Sequence, residues 1–343
     1  MSASSSSSTA ASRVLSQVRS IIPPLSGELH KGQAGRVGIV GGSKDYTGAP
    51  YFASMASMKL GADMSHTICE PSAGNVIKTY SPDLIVHPIM DQNKSLDSIR
   101  SEMKEIFARL HSVVVGPGLG RDQHMQDCGR IAIELAREAN LYIVVDADGL
   151  WLLQNEPEII RGYRRAVLTP NVVEFGRLCN KLGIDAKKKP EEAAKELSRA
   201  LQGPTILEKG KIDRIANADE VLLSEEPGGL KRCGGQGDIL SGCLATFLAW
   251  AHVYSRGDQT TPTGPPSEHE RIPEERLPLL AAYGASVIAR TCSREGFRRN
   301  GRAFLANDMI EEIGRAYIRS NSLLARTEVG PSLALGALAK TGC

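Results

Sequence analysis

Short runs of consecutive apolar residues alternate with longer stretches of helical periodicity from residue 36 onward. A first strand is predicted over residues 36–42, which read RVGIVGG, and a helix over residues 51–62. Helical patterns also cover residues 123–138 and 190–201. The further strand-like runs are residues 64–69, 84–89, 112–115, 141–145, 166–168 and 205–207. Because short apolar strands that alternate with helices are typical of a parallel sheet covered on both faces, the pattern predicts an α/β fold.

Turn-forming residues follow the carboxyl ends of several of these strands. They are the glycine pair at 41–42, GPG at 116–118, DADG at 146–149 and TPN at 169–171. Ligands of open α/β sheets bind at the edge where the carboxyl ends of the strands meet. We therefore expect the functional site at this edge of the sheet.

The composition narrows the class of protein. The 343 residues carry a formal net charge of +2 and are 41% hydrophobic, which argues against a protein that binds nucleic acid or a membrane surface. The most apolar stretch, residues 239–254, falls short of the roughly 20 apolar residues of a membrane span, so it is predicted to be a buried helix. The seven cysteines are odd in number and form no C-x-x-C pair, which favours a reducing, cytoplasmic location.

The two ends of the chain and one internal stretch lack the strand and helix pattern. Residues 1–24 are rich in serine and carry Arg13 and Arg19, with no acidic residue before Glu28. A flexible tail is predicted, but a mitochondrial transit peptide has the same composition, so a mitochondrial location stays open. Residues 255–275 are rich in proline and charge and are predicted to be a surface insertion. Residues 321–343 are predicted to be a second tail.

The sequence CGGQGDILSG at residues 233–242 is the strongest candidate for chemistry. Three glycines in four residues, Gly234, Gly235 and Gly237, allow positive φ angles and a close approach of the backbone to a ligand. The apolar run that follows is helical, so free N–H groups at its N-terminus would form an anion site. Asp238 lies in the first turn, where it would act as a general base or would merely cap the helix.

Other nucleotide-binding motifs are absent from the sequence. No G-x-x-x-x-G-K-[ST] occurs, and GPGLG at residues 116–120 lacks the G-x-G-x-x-G spacing. A P-loop enzyme and a Rossmann dehydrogenase are therefore both disfavoured. None of the seven histidines has a metal-ligand spacing. Asp146 and Asp148 would either organise a magnesium–phosphate cluster or hydrogen-bond to their own loop backbone.

Several sequence blocks, in order, resemble those of the ATP-dependent NAD(P)H-hydrate dehydratases, a branch of the ribokinase-like superfamily. The blocks are GGS with DYTGAP at 41–50, GAD at 61–63, GPGLGRD at 116–122, VDADGL at 145–150, LTPN with EF at 168–175, KG at 209–210 and LKRCGGQGD at 230–238. The resemblance covers about residues 25–320. It implies one three-layer α/β/α domain with a mainly parallel central sheet.

The reaction implied by this resemblance repairs hydrated NADH or NADPH. In the S epimer, C6 of the reduced ring carries a hydroxyl group, which ATP phosphorylates. Phosphate then leaves, so that the ring double bond is restored and ADP and inorganic phosphate are released. Mg²⁺ would accompany ATP. Asp238 would be the catalytic base, and the backbone N–H groups of Gly235, Gln236 and Gly237 would hold the phosphoryl group during transfer.

The resemblance also implies two sets of binding residues. Those for the hydrated dinucleotide are Gly118, Gly120, Asn171, Val172, Val173, Glu174, Phe175, Gly176, Arg177 and Asp238. Those for ATP are Lys209, Gly210, Lys211, Ile212, Asp213, Gly228, Gly229, Leu230, Lys231, Arg232, Cys233, Gly234, Gly235, Gln236 and Gly237. Three assignments have structural alternatives: a strand-ending turn at 116–120, a capping box of Asn171 with Glu174, and a solvated hairpin lysine at Lys209.

Two other functions would share these features. A superfamily kinase of a small hydroxymethyl-ring substrate would use the same glycines and the same Asp238, although residues 116–122 and 171–177 suit a large dinucleotide better than a small ring. A non-catalytic nucleotide sensor would be expected to have lost the base or the glycine turn, and both are present. The expected partners are therefore small molecules, with no nucleic acid and no membrane, and a homo-oligomer stays open.

Overall fold

A nine-stranded sheet forms the centre of the computed structural model, which describes residues 3–25, 30–257 and 271–319. The strands are β1 (Arg36–Val40), β2 (Met64–Ile68), β3 (Ile85–His87), β4 (Ser112–Val115), β5 (Tyr142–Val145), β6 (Ala166–Leu168), β7 (Thr205–Glu208), β8 (Asp213–Ala216) and β9 (Val221–Ser224). Their order across the sheet is β3-β2-β1-β4-β5-β6-β7-β8-β9. The seven strands β1 to β7 pair in parallel, whereas β8 and β9 pair antiparallel.

Helices cover this sheet on both faces. They are α1 (Ala3–Ser20), α2 (Gly48–Leu60), α3 (Pro71–Tyr80), α4 (Leu96–Phe107), α5 (Gln123–Glu138), α6 (Asp148–Asn155), α7 (Val172–Lys181), α8 (Ala193–Ala200), α9 (Gln236–Arg256), α10 (Leu277–Asn300) and α11 (Ala306–Arg319). Helix α9 packs on β1, β4 and β5, and α5 also packs on β4 and β5. Every residue of β4 and β5 is buried, as expected for strands covered on two sides. The predicted α/β fold with a mainly parallel sheet is confirmed.

Helix α9 is held in place by direct contact with α2. A Cβ atom on Gly242 would lie 2.1 Å from the carbonyl oxygen of Ala53, so the two backbones touch where only glycine fits. The hydroxyl of Thr246 donates to the carbonyl oxygen of Ser57 at 3.0 Å. These contacts fix the N-terminus of α9 relative to the carboxyl edge of the sheet, where the strand-ending loops lie.

The N-terminal segment is not the tail that its composition predicts, at least from residue 12 onward. Residues 3–20 form α1, which packs against α10. Val14, Leu15 and Val18 are buried on the core, and Ile21 follows with no exposed surface. Their helical spacing places these apolar side chains on one face, so burial of this face outweighs the low apolar content of the serine run.

Truncating Val18 tests whether α1 belongs to the folded domain. Val18 is fully buried, and its methyl group lies near Gly284 of α10. We expect Val18→Ala to lower the free energy of unfolding by about 2 kcal/mol, because a buried cavity replaces two methyl groups. Urea unfolding followed by circular dichroism measures the change, with the exposed Ser16→Ala as the control. A Val18 variant as stable as the wild type would contradict the packing of α1.

Further differences from the predicted elements lie in the second half of the chain. The hairpin of β8 and β9 extends the sheet although neither segment showed a strand pattern, and α10 forms one long buried helix. Part of the predicted insertion at 255–275 and the predicted tail at 321–343 lie outside the described residues. No helix in the described ranges is both long and apolar enough to cross a membrane.

Candidate active site

A buried ion pair marks the carboxyl edge of the sheet. Asp146 follows β5 and Lys209 follows β7, and the Lys209 Nζ atom lies 2.9 Å from Asp146 Oδ1. The side chain of Asp146 is 3% exposed and that of Lys209 is 22% exposed. Lys209 is therefore not the solvated hairpin lysine of the alternative prediction. An ammonium group held at this edge would be placed to meet an anionic ligand.

The first turn of α9 faces this ion pair. Gly235 caps the helix with a φ of 93°, and a Cβ atom there would lie 2.5 Å from the Cβ of Ala306. Only glycine fits this left-handed, crowded position. A Cβ atom on Gly237 would lie 3.6 Å from Lys209 Nζ, so the helix N-terminus opens towards the ammonium group. The predicted glycine turn at a helix N-terminus is present, and this end of α9 lies beside the ammonium group of Lys209.

Asp238 lies two residues inside α9 and is a candidate base. Gly235 occupies the N-cap position, and the Asp238 carboxylate accepts a hydrogen bond from its own backbone N–H in the first turn. Burial raises the pKa of Asp238 to about 7, and the negative charge of Asp146 adds to this shift. Lys209 opposes it. A carboxyl group with a pKa near neutrality suits general base catalysis, because it is basic enough to take a proton and about half of it is ionised at pH 7.

Residues 171–174 form the capping box that was the structural alternative for this segment. Asn171 Oδ1 accepts from the backbone N–H groups of Val173 at 2.9 Å and Glu174 at 3.0 Å, and Glu174 Oε2 accepts from the N–H of Asn171 at 2.8 Å. Burial raises the pKa of Glu174, an effect that the nearby Lys209 opposes. Glu174 therefore both caps α7 and faces the ion pair.

The rest of the predicted dinucleotide segment is divided between the hydrophobic core and an open cleft that also contains most of the predicted ATP residues. Val172 and Val173 are 67% and 60% exposed and border the cleft. Phe175, in contrast, is 4% exposed and packs in the hydrophobic core, so its side chain is not placed to touch a ligand as predicted. Gly176 and Arg177 continue α7 away from the cleft lining.

The loop at residues 116–120 is a tight turn that is buried as far as Leu119. Gly118 and Gly120 have φ angles of 61° and 83°. The carbonyl oxygen of Gly118 accepts from the Ser43 hydroxyl at 3.1 Å, which ties the loop to the turn after β1. Asp148 accepts from the N–H of Gly120 at 3.0 Å and pairs with Arg121. Asp148 therefore hydrogen-bonds to loop backbone, which was one of its two predicted roles.

The described residues offer no preformed metal cage. In those ranges, no three His, Cys, Asp or Glu side chains converge closely enough to hold a metal ion. Asp146 is paired with Lys209, and Asp148 is bound to Gly120 and Arg121. A cation at this edge would need most of its ligands from phosphate oxygens and water, which is how proteins usually bind Mg²⁺ with nucleotides.

An open cleft of about 1260 Å³ brings most of the predicted ATP residues together. The members that line it are Lys209, Gly210, Lys211, Ile212, Asp213, Gly228, Gly229, Leu230, Arg232, Cys233, Gln236 and Gly237. Lys231 is directed elsewhere, because its ammonium group donates to the carbonyl oxygen of Arg302 at 2.6 Å. Arg232 donates to the carbonyl oxygen of Gly229 at 2.7 Å, which stabilises the loop itself.

One wall of this cleft comes from helices to which the sequence assigned no role. Ser286, Arg290 and Ser293 of α10 line it, together with Met309 of α11. Asp213 directs its carboxylate at this wall, with Oδ2 2.8 Å from Arg290 Nε. No motif marks these positions, since they are single polar residues on a long buried helix. Only the spacing of Ser286, Arg290 and Ser293 on one helical face signals them.

Comparison with known proteins agrees with this geometry. The family model described as NAD(P)H-hydrate dehydratase matches residues 37–315. A protein of Mycosarcoma maydis named ATP-dependent (S)-NAD(P)H-hydrate dehydratase is 59% identical over 313 residues, which cover 91% of this chain and 89% of that protein.

Two solved structures share the fold. A ribokinase-like superfamily protein from Enterococcus faecalis V583 superposes with a TM-score of 0.69 at 18% identity, covering 90% of this chain and 94% of that one. The ADP/ATP-dependent NAD(P)H-hydrate dehydratase from Bacillus subtilis, co-crystallised with ATP/Mg²⁺, has a TM-score of 0.62 at 21% identity and covers 89% and 96%. The fold is therefore ribokinase-like. The sequence match settles the family: this chain belongs to the ATP-dependent (S)-NAD(P)H-hydrate dehydratases.

Proposed function

We propose that this chain dehydrates the S epimer of hydrated NADH or NADPH with ATP, giving NAD(P)H, ADP and phosphate. The observation that carries the proposal is Asp238, a carboxyl group with a pKa of about 7 beside the glycine N-terminus of α9 and the Lys209–Asp146 pair. The name of the 59% identical relative supports this substrate over the small hydroxymethyl ring of a related kinase.

The first chemical step is phosphoryl transfer to the ring hydroxyl. Asp238 accepts the hydroxyl proton while the hydroxyl oxygen forms a bond to the terminal phosphorus of ATP and ADP leaves. The N–H groups at the start of α9 and the helix dipole stabilise the charge on the transferring group. Lys209 adds a positive charge at the same edge of the sheet. These groups act by position and charge, which is the main requirement of phosphoryl transfer.

The second step is elimination of phosphate. The bond between C6 and the phosphate oxygen breaks, the adjacent ring carbon loses a proton to the departing phosphate, and the ring double bond forms. Hydroxide is a poor leaving group and phosphate a good one, so the ATP consumed in the first step makes the second step accessible. The electron-rich ring nitrogen assists departure, and the cleft has only to hold the ring in place.

Mg²⁺ would enter this site with ATP. Asp146 and Glu174 lie beside Lys209, but no three ligating side chains converge in the described ranges. The residues therefore fit an ion that takes most of its ligands from phosphate oxygens. Asp146 and Glu174 are the carboxylates that would face it. The ion would supply charge neutralisation between the phosphates of ATP.

Incubation of the purified chain with hydrated NADH, ATP and Mg²⁺ tests the proposal. We expect the absorbance band of reduced nicotinamide to return, with one ATP consumed for each ring repaired, and the R epimer to stay unchanged. Omission of ATP is the control. A phosphorylated product that accumulates without recovery of the band would favour the kinase. If neither the absorbance band returns nor a phosphorylated product forms, the proposed activity is contradicted.

A further inference from the structure

Arg290 of α10 makes more hydrogen bonds than any motif residue in the cleft. Its Nε donates to Asp213 Oδ2 at 2.8 Å, and its Nη2 donates to Asp213 Oδ1 at 2.5 Å and to the carbonyl oxygen of Gly210 at 2.7 Å. Its Nη1 donates to the carbonyl oxygens of Lys211 at 3.0 Å and Glu226 at 3.1 Å. A guanidinium group has five N–H donors, and all five are used here.

These bonds join two separate segments of the ATP side of the cleft. Gly210, Lys211 and Asp213 belong to the turn that directly follows Lys209, whereas Glu226 precedes the glycine loop at 228–237. The two segments flank the β8–β9 hairpin, whose ladder pairs Asp213 with Ser224, and both border the cleft. Beyond that last ladder pair, one guanidinium group ties the lysine turn to the segment that leads into the glycine loop.

Neighbouring polar groups complete the arrangement. Asp213 Oδ1 also accepts from the N–H of Gly210 at 3.0 Å, so the carboxylate folds the turn back on itself. Ser286, one helical turn before Arg290, donates to Asp213 Oδ2 at 2.7 Å and lies 2.8 Å from the hydroxyl of Ser224. The side chains of Arg290 and Asp213 are 12% and 7% exposed. A buried ion pair adds little net stability, because the cost of removing both charges from water offsets their attraction. Its main effect here is therefore to hold together the two segments that it joins.

Lysine cannot replace Arg290 in this role. An ammonium group has three donors on one atom and no planar fork, so it can satisfy the Asp213 carboxylate but cannot reach three backbone carbonyls in different directions. The hydrogen bonds and charge of Asp213 raise the pKa of Arg290, so the guanidinium group stays charged at every relevant pH.

We propose that Arg290 is a positioning residue for ATP: it holds the turn after Lys209 and the segment before the glycine loop in the arrangement that receives the nucleotide. The inference rests on the proposed use of ATP by this cleft. Arg290 acts through the backbone of both segments and makes no hydrogen bond to residues 116–120, the part of the predicted dinucleotide site that lies outside the cleft.

The variant Arg290→Lys tests this role by a split between kinetic constants. We expect the KM for ATP to rise about 10- to 100-fold, because several charge-assisted hydrogen bonds are lost, while the KM for the hydrated dinucleotide changes less than about threefold. Arg130→Lys is the matched control, since Arg130 also forms a forked ion pair, with Glu156, but does not line the cleft. The control should lose stability and keep both KM values.

A second variant tests whether Arg290 and Asp213 act together. Asp213→Asn removes the charge that Arg290 pairs with and keeps the side-chain size. If the two residues act as one unit, the variant that combines Arg290→Lys with Asp213→Asn should raise the KM for ATP no more than the single change with the larger effect does. Equal increases in both KM values, or effects of the two changes that multiply, would overturn the positioning role.

Amide hydrogen exchange without any ligand separates this inference from the proposed function. In Arg290→Lys, exchange at the amide of Gly210 and around Glu226 should accelerate together, while Arg130→Lys leaves both unchanged. If the wild-type protein shows no dehydratase activity but the two segments loosen together, the proposed function fails and the positioning role stands. Unchanged exchange at either segment would overturn the positioning role.

Discussion

Asparagine in place of Asp238 is expected to lower turnover about 10²- to 10⁴-fold while ATP still binds, because the amide keeps the shape of the carboxylate but cannot accept the hydroxyl proton. Steady-state assays measure turnover, and titration calorimetry measures ATP binding. The control is Asp219→Asn, the same change at an exposed turn. A turnover that matches the wild type would contradict the assignment of the base.

The pH dependence of the wild-type enzyme follows from the same residue. Asp238 must be ionised to accept a proton, and burial and Asp146 raise its pKa to about 7. We therefore expect kcat/KM to rise from pH 6 to pH 8 with a midpoint near 7, instead of near the ordinary range of a carboxyl group. In Asp238→Asn this rise should be absent.

The same pKa shift acts on stability in the opposite direction. A carboxyl group whose pKa is raised on folding stabilises the folded state at low pH, and this contribution is lost as pH rises through the folded pKa. For Asp238 the loss runs from its ordinary value of 3.8 up to about 7. Asp238→Asn should therefore melt at a higher temperature than the wild type at pH 8, and the difference should shrink towards pH 5.

The first seven strands and the glycine turn were predictable because each is defined by a local pattern. The carboxyl edge was predicted as the functional edge, and residues that lie there include both Asp146 and Lys209. Their contact was not predicted, since the order of strands across the sheet brings together residues that are distant along the chain. A pattern that alternates strands and helices determines the fold class but not which strands become neighbours.

Three failures of the sequence prediction have different physical origins. The hairpin β8–β9 is short and carries charged residues at its turn, and it forms because it extends an existing sheet edge. The serine-rich composition of residues 1–24 predicts a tail, but the apolar spacing of Val14, Val18 and Ile21 produces a buried face on α1. Arg290 was missed because a single arginine on a buried helix has no sequence signature.

Removal of the Lys209 ammonium group is expected to impair both ATP binding and the base. Burial lowers the pKa of Lys209, but Asp146, Glu174 and Asp238 outweigh this and leave it raised, so the group is charged in the folded protein. In Lys209→Met, Asp146 loses its partner at 2.9 Å, and an uncompensated buried carboxylate costs about 3–5 kcal/mol. Turnover should fall about 100-fold or more, since positive charge near the transferring phosphoryl group is also lost.

The pH profile of Lys209→Met distinguishes the two effects. Lys209 opposes the rise in the pKa of Asp238, so without it that pKa should move above 7 and the midpoint of kcat/KM should shift to higher pH. Lys211→Met, which removes an exposed ammonium group two residues away, should leave the midpoint in place even where it weakens ATP binding. If Lys209→Met loses activity with an unchanged midpoint, Lys209 acts on ATP alone. A shifted midpoint would mean that one ammonium group serves the nucleotide and tunes the base, because the sheet places β5, β7 and the start of α9 at one edge.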